Sequence, residues 1–297
     1  MKRRTSRRKT AHQRLARARQ RVARGPGGLR AAFRRARRGR SPALVAYVTA
    51  GDTSLKFTEA LVLRLAKAGV DVIELGVPFS DPIADGPVIQ RASQRALRAG
   101  TTLSDVLKLA ARIRREIPVP LVLFSYYNPV LQLGLERFAE RAAAAGINGV
   151  LITDLAPEEA EAFVRVLRRH RMDTVFLAAP TSTNQRLKTI ARLSRGFLYV
   201  ISRRGTTGMR AEVPGEVKEL VKRVRRATAL PLAVGFGISR PEHVAALDGV
   251  TDGVVVGSAL VECCERHKHG PQALEAAAAL ATSLKQAVAP KRTRAKD

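Results

Sequence analysis

From Pro42 onward, short runs of β-branched and aliphatic residues alternate with longer segments in which apolar residues recur at helical spacing. This alternation is typical of repeated βα units around a parallel sheet. Eight runs are predicted to be strands, and each is nearly all apolar, as expected of strands that are buried on both faces. The predicted strands are residues 43–48, 70–76, 120–124, 149–153, 174–178, 197–202, 231–235 and 253–257.

Helices are predicted in the intervals between these strands. Residues 55–67 and 136–145 show helical periodicity, and a last Ala-rich helix is predicted after Gly270. Two helices, 87–100 and 103–117, are predicted between the second and third strands, where a single βα unit needs only one. Three glycines stand where helices should stop just before strands: Gly69, Gly146 and Gly196.

Eight such units predict an α/β protein with a (β/α)8 TIM-barrel fold and extra helices. A doubly wound open sheet is the main alternative, because it is built from the same parallel strands and crossover helices. The number of strands favours closure into a barrel. The chain also lacks a G-x-G-x-x-G motif between a strand and a helix near its start, so the simplest dinucleotide-binding version of the open sheet is unsupported.

The net charge of +28 is concentrated at the amino terminus. The first 40 residues hold 17 Lys and Arg residues and no acid, the first acid being Asp52. Residues 1–28 have few large apolar side chains to bury, so we expect a disordered basic extension there. The barrel domain is predicted over residues 29–285 and a basic tail over 286–297.

The basic extension can be interpreted in several ways. It fits a solvated arm, a start codon assigned too far upstream, an arm that binds nucleic acid or the ribosome, or an organelle transit peptide. Ser6 is the only serine before Ser41, which counts against a transit peptide.

Composition points to a folded cytoplasmic protein. Hydrophobic residues make up 45% of the chain, yet none of its apolar stretches approaches the roughly 20 residues that cross a bilayer. No apolar segment of a secretory signal is present at the start, so the cytoplasm is expected. The adjacent Cys263 and Cys264 are expected to be reduced, and with His267 and His269 they resemble metal ligands only superficially, so we expect no metal site.

The second predicted strand and the loop after it hold the most unusual acids. Glu74 lies inside an apolar strand, where a carboxyl must be hydrogen-bonded, protonated or catalytic, so a structural role and a catalytic role both remain open. Asp81 and Asp85 follow in a loop rich in Pro and Gly. An isolated Asp in such a loop usually stabilises the turn by hydrogen bonds to the local backbone. Two carboxyls in different environments can, however, supply both a proton donor and an acceptor.

Two glycine-containing segments follow the last two predicted strands, where barrels commonly bind phosphate. GFGIS at 235–239 and GSAL at 257–260 both offer backbone amides, and the second opens a helix. The loop after the sixth strand, SRRGTTGMRAEVPGE at 202–216, has the length and glycine content of a mobile lid. Its Arg203 and Arg204 either meet an anionic substrate or are simply solvated.

Five segments together resemble, in order and spacing, the hallmark segments of tryptophan synthase alpha subunits. They are ALVAYVTAGD at 43–52, IELGVPFSDPIADGPVIQ at 73–90, ISRRGTTGM at 201–209, GFGIS at 235–239 and GSAL at 257–260. The resemblance covers about residues 29–280. It implies a carbon–carbon lyase of tryptophan biosynthesis, which splits indole-3-glycerol phosphate into indole and glyceraldehyde 3-phosphate by a retro-aldol reaction.

The resemblance also implies roles for individual residues. Glu74 and Asp85 match the two catalytic carboxylates, Asp85 engaging the indole N–H and Glu74 protonating C3 and assisting deprotonation of the glycerol hydroxyl. The matched substrate-binding positions are Tyr47, Phe124, Tyr126, Tyr199 and Thr207, of which the aromatic residues could equally be core residues. The matched phosphate-binding positions are Gly208, Gly237, Gly257 and Ser258.

Cofactor and partner expectations follow from the same resemblance. The chain needs no metal or organic cofactor, and pyridoxal phosphate belongs to a beta subunit with which the family forms an α2β2 heterotetramer. The contact surface includes the loop around Pro78 and Pro82 and the segment near Asn128 and Pro129. Three alternatives remain: a free-standing lyase that releases indole, a barrel protein that binds nucleic acid through its basic arm, and another phosphate-sugar enzyme such as an isomerase. Neither membrane nor nucleic acid is expected as a partner.

Overall fold

The structure is a computed structural model that describes residues 28–201, 215–235 and 237–287. Its strands are β1 (Ala43–Thr49), β2 (Val72–Gly76), β3 (Leu121–Ser125), β4 (Gly149–Ile152), β5 (Asp173–Val175), β6 (Leu177–Ala178), β7 (Leu198–Ile201), β8 (Leu232–Gly235) and β9 (Gly253–Val256). They form one sheet in the order β5-β4-β3-β2-β1-β9-β8-β7-β6, and all of the pairings are parallel.

The sheet closes through one predicted strand that is split in two. β5 pairs with β4, β6 pairs with β7, and only Phe176 separates β5 from β6 along the chain. The two edges of the nine-stranded order are therefore consecutive pieces of the predicted fifth strand. The predicted (β/α)8 barrel is confirmed, and the open doubly wound sheet is excluded.

The helices are α1 (Gly28–Arg38), α2 (Leu55–Lys67), α3 (Pro87–Arg98), α4 (Leu103–Glu116), α5 (Tyr127–Leu133), α6 (Leu135–Ala144), α7 (Glu161–Arg169), α8 (Asn184–Leu193), α9 (Gly215–Ala227), α10 (Pro241–Ala245), α11 (Ser258–Arg266) and α12 (Pro271–Gln286). The two helices predicted between β2 and β3 are confirmed as α3 and α4. Gly69, Gly146 and Gly196 have φ of 91°, 79° and 78°, in the left-handed region. Gly69 and Gly146 directly follow the C-caps of α2 and α6 and end those helices, whereas α8 already ends at Leu193 with an extended Ser194, so the prediction that Gly196 stops a helix is wrong.

Helix α1 is an element that sequence analysis missed. Its arginines face outward. Its apolar residues recur at helical spacing and are buried: Leu29, Ala32, Phe33 and Ala36. The Phe33 ring lies 5.1 Å from that of Phe197, and a Cβ at Gly253 would lie 2.6 Å from Phe33. The helix therefore closes the end of the barrel at which the strands begin.

Alternation along the strands places Glu74 inside the barrel. Each of the eight predicted strands contributes one inward side chain to a cluster that packs on α1. These side chains are Val45, Val72, Val122, Leu151, Val175, Phe197, Ala233 and Val255. Their strand neighbours, such as Ile73 and Leu75, pack outward in the helix-covered cluster. Because side chains alternate with period two, Glu74 points inward one layer above Val72.

Several predicted segments fall outside the described residues. These are residues 1–27 of the basic extension, most of the lid loop at 202–214, Phe236, and residues 288–297 of the tail. Within the described ranges, no helix is long and apolar enough to cross a membrane.

We predict that Phe33→Ala lowers the free energy of unfolding by about 3–5 kcal/mol, because it removes a buried ring and leaves a cavity at the lower end of the barrel. Arg34→Ala, on the exposed face of the same helix, is the matched control and should change the free energy of unfolding by less than about 0.5 kcal/mol. Urea unfolding measures both variants. Equal stability of the two would show that α1 does not belong to the core.

Candidate active site

Glu74 is the most unusual buried group of the barrel interior. It is 0% exposed, and neither of its carboxyl oxygens has a hydrogen-bond partner among the described residues. Burial raises the pKa of this carboxyl from 4.5 to about 8. A buried polar group left without a partner is costly to a fold, so it calls for a functional explanation. The structure thus strengthens the catalytic reading of Glu74 over the structural one.

Asp85 reaches the same region from the loop between β2 and α3. The Tyr126 hydroxyl donates to Asp85 Oδ2 at 3.0 Å and accepts from the Ala84 amide at 3.0 Å. Gln90, in the first turn of α3, donates its side-chain amide to the Asp85 carbonyl at 2.9 Å. The ring of Phe79 stacks on Tyr126 with centroids 4.9 Å apart. These contacts hold the carboxyl in place and argue against a role in the turn alone.

The two carboxyls act on one group of tyrosines. Burial is the largest cause that raises the pKa of Tyr47. The negative charge of Asp85 is the next cause, and the charge of Glu74 raises it further. Burial likewise raises the pKa of Tyr199, with further contributions from Glu74, Tyr47 and Asp85. The geometry agrees, because Tyr47 on β1 is the register partner of Glu74 on β2.

The environments of the two carboxyls give them different protonation states at pH 7. Burial raises the pKa of Asp85 to about 6, opposed by the hydrogen bond from Tyr126, which lowers it. Glu74, with a pKa of about 8, is mostly protonated at neutral pH, while Asp85 is mostly ionised. One group can donate a proton while the other accepts a hydrogen bond.

An apolar wall borders these polar groups. Tyr47 meets Phe124 edge-on with centroids 5.2 Å apart, and Tyr47 also clusters with side chains from two helices: Ile89 and Ala92 of α3 and Val261 of α11. Such a wall suits a flat aromatic ligand. Sequence analysis missed Ile89, Ala92 and Val261, because apolar residues at helical spacing look the same whether they line a pocket or a core.

Amide-rich loop ends lie beside the wall. Gly257 precedes α11, no described side chain caps that helix, and a Cβ at Gly257 would lie 3.5 Å from Tyr47 Cβ. Ser258 opens the helix and is exposed. Gly237, with φ 86°, follows β8, the strand paired with β9, so the predicted phosphate residues Gly237, Gly257 and Ser258 share one edge of the barrel. Free amides at a helix start favour an anion.

Some predicted site residues cannot be compared with the structure. Thr207 and Gly208 lie outside the described residues, as do Arg203 and Arg204. Of the others, Asp85, Tyr126, Gly237, Gly257 and Ser258 follow the ends of strands, Phe124 is the penultimate residue of β3, and Glu74, Tyr47 and Tyr199 lie within β2, β1 and β7. Among the described residues, no group of three or more His, Cys, Asp or Glu side chains is arranged to hold a metal ion.

The fold and the site define the class of (β/α)8-barrel enzymes, here with one carboxyl inside the barrel on β2 and a second in the loop that follows β2. The sequence model of the family described as tryptophan synthase alpha chain matches residues 33–289. The chain is also 57% identical over 225 residues to the tryptophan synthase alpha chain of Solibacter usitatus, covering 76% of this chain and 84% of that protein. This chain belongs to the tryptophan synthase alpha chain family.

Other relatives agree in sequence and in structure. Identity to the alpha chain of Geobacter sulfurreducens is 52% over 224 residues, covering 75% of this chain and 85% of that protein. The crystal structure of tryptophan synthase subunit alpha from Legionella pneumophila str. Paris matches with a TM-score of 0.80 at 37% identity, over 88% of this chain and 97% of that chain. A crystal structure of tryptophan synthase from M. tuberculosis, in its aminoacrylate-bound form, matches with a TM-score of 0.78 at 35% identity, over 88% of this chain and 98% of that chain.

Family membership confirms the predicted lyase of tryptophan biosynthesis, which acts on indole-3-glycerol phosphate. The family works with a beta subunit, as predicted. These relatives favour none of the three alternative functions, which were the free-standing lyase, the nucleic-acid-binding barrel and the isomerase.

We predict that Glu74→Gln changes the pH dependence of stability. The folded wild type keeps the Glu74 proton up to a pKa of about 8, whereas the ordinary pKa of a glutamate carboxyl is 4.5. Between these values the folded state binds more protons, so the free energy of unfolding falls as pH rises, by up to about 1.4 kcal/mol per unit. Gln does not titrate. Urea unfolding between about pH 5 and pH 8 should therefore show wild-type stability falling relative to the variant, and a constant difference would contradict this.

Proposed function

We propose that Asp85 and Glu74 together carry out the retro-aldol cleavage of indole-3-glycerol phosphate in this chain. The observation that supports this assignment is their difference in protonation, with pKa values of about 6 and about 8 beside one set of tyrosines. The reaction needs one carboxyl ionised and the other protonated at the same pH.

The proposed sequence of proton transfers balances without another reactant. Asp85 accepts a hydrogen bond from the indole N–H and stabilises positive charge on the ring while Glu74 gives its proton to C3. C3 becomes tetrahedral, and the carboxylate left on Glu74 takes the proton of the hydroxyl on C3′. The C3–C3′ bond then breaks, its electron pair restores the aromatic ring, and the oxygen becomes the aldehyde of glyceraldehyde 3-phosphate. Glu74 ends protonated, ready for the next turnover.

The rest of the site binds the two ends of the substrate. We assign the indole ring to the wall formed by Tyr47 and Phe124, with Tyr126 holding Asp85 and Tyr199 beside Glu74. The phosphate is assigned to the amides at Gly237, Gly257 and Ser258, where the start of α11 favours negative charge. Thr207 and Gly208 are assigned to the substrate by family resemblance alone.

This chemistry is proposed to need no metal or organic cofactor in the chain, because Glu74 makes both proton transfers and Asp85 stabilises the charge on the ring. Pyridoxal phosphate is then a property of the beta subunit. We place the reaction in the cytoplasm, where the reduced state of Cys263 and Cys264 fits.

We predict that Glu74→Gln and Asp85→Asn each lower kcat for indole release by about 10²–10⁴-fold, the range that general acid–base groups contribute. The assay follows indole release from indole-3-glycerol phosphate in the presence of EDTA. Asp173→Asn is the matched control, a partly buried acid at the end where the strands begin, and should stay within about twofold of wild type. An unaltered rate in either variant would remove the role assigned to that residue.

We predict that kcat/KM depends on pH with two limbs. Activity should rise through a pKa of about 6 as Asp85 ionises and fall through about 8 as Glu74 loses its proton. Tyr126→Phe removes the hydrogen bond that lowers the pKa of Asp85, so the acid limb should move to higher pH. The measurement is initial rate at low substrate concentration. An acid limb that stays in place in Tyr126→Phe would exclude Asp85 as its source.

A further inference from the structure

Helices α3 and α11 begin at opposite ends of the proposed substrate. Asp85 stands two residues before α3, and Ser258 is the first residue of α11. The two helices pack against each other and against β1, and both contribute side chains to the apolar wall around Tyr47. The distance between the indole-binding and phosphate-binding ends therefore depends on how these helices are held together.

An ion-pair network joins the same two helices. Arg95 of α3 binds Asp52 with both arms of its guanidinium, Nε to Oδ1 at 2.7 Å and Nη2 to Oδ2 at 3.1 Å. Its remaining nitrogen, Nη1, donates to Oε1 of Glu265 on α11 at 2.8 Å. Arg95 thus links α3 to α11 and to the loop after β1, which carries Asp52.

Further contacts complete the network at both of its acids. Arg91, one turn earlier on α3, binds both carboxyl oxygens of Glu265 at 3.0 and 2.7 Å. His269, just beyond α11, lies with Nε2 3.0 Å from Asp52 Oδ2. Asp52 is only 6% exposed, so removing a partner would leave its buried charge uncompensated, which is more disruptive than breaking a surface pair.

We infer that Arg95 is a positioning residue, which fixes α3 against α11 so that Asp85 and the phosphate amides stand one substrate length apart. The inference rests on the proposed function. A ligand whose two ends are covalently joined binds better than its separate halves only when both half-sites are held at the matching distance. Loosening the network should therefore weaken joined ligands and leave the separate halves unaffected.

The chain offers a control pair of the same chemistry. Arg112 Nε binds Glu59 Oε2 at 2.8 Å and joins α4 to α2, but this pair is exposed and touches neither end of the site. Exposed pairs of this kind contribute little. Arg112→Lys and Glu59→Gln can therefore be compared directly with the corresponding changes in the network.

The experiment compares Arg95→Lys and Glu265→Gln with these controls in the full chain. Arg95→Lys keeps the charge but cannot keep the two-pronged contact with Asp52 while also reaching Glu265, because Lys lacks the planar fork. Calorimetry measures the affinity of indole, of inorganic phosphate, and of an unreactive joined analogue in which a propyl chain replaces the glycerol. In both network variants we expect the affinity for the analogue and the value of kcat/KM to fall at least about tenfold. The affinities for indole and for phosphate should stay within about twofold of wild type.

Three results would overturn the inference: unchanged analogue affinity in both network variants, parallel loss of affinity for the separate halves, or an equal loss in the control variants. Thermal unfolding identifies any variant that has not folded, and Glu265→Gln, at a less buried position, then decides the matter. A wild type that binds the analogue but does not cleave the substrate would refute the proposed function alone, since the binding comparison needs no catalysis.

Discussion

The cost of burying the Glu74 carboxyl without a hydrogen-bond partner is the constraint on which the site depends. Closure of the barrel creates that cost, because the inward position above Val72 is enclosed by the strands on every side and by α1 below. The fold thus sets the chemistry of this residue before any substrate arrives.

Asp85 differs from Glu74 because it belongs to a loop. Tyr126 from the end of β3 and Gln90 from α3 hold it at the rim, where partial burial raises its pKa less than complete burial does for Glu74. The two carboxyls are only eleven positions apart in sequence. One lies inside a strand and the other in a loop, which explains how two residues of one segment can differ in protonation at neutral pH.

Much of this arrangement could be predicted from the sequence, for physical reasons that also mark where prediction fails. Apolar runs and glycines locate the strands, because a strand buried on both faces shows up as consecutive apolar residues in the sequence. An acid inside such a run identifies Glu74. Helix α1 was missed because its arginines continue the basic run, although Leu29, Ala32, Phe33 and Ala36 recur at helical spacing. The contact of Arg95 with Glu265 joins residues 170 positions apart, and no local pattern encodes such a pair.

The pairing of β1 with β9 has a consequence for synthesis of the chain. Ala43 pairs with Gly253, so the first strand keeps an unsatisfied edge until the last strand has left the ribosome. Non-local pairing of this kind is slow, and the growing chain exposes strand edges and apolar surface for most of its translation. Any nascent or truncated product that ends before residue 253 is consequently a substrate for chaperones or for self-association, whatever the condition of its catalytic residues.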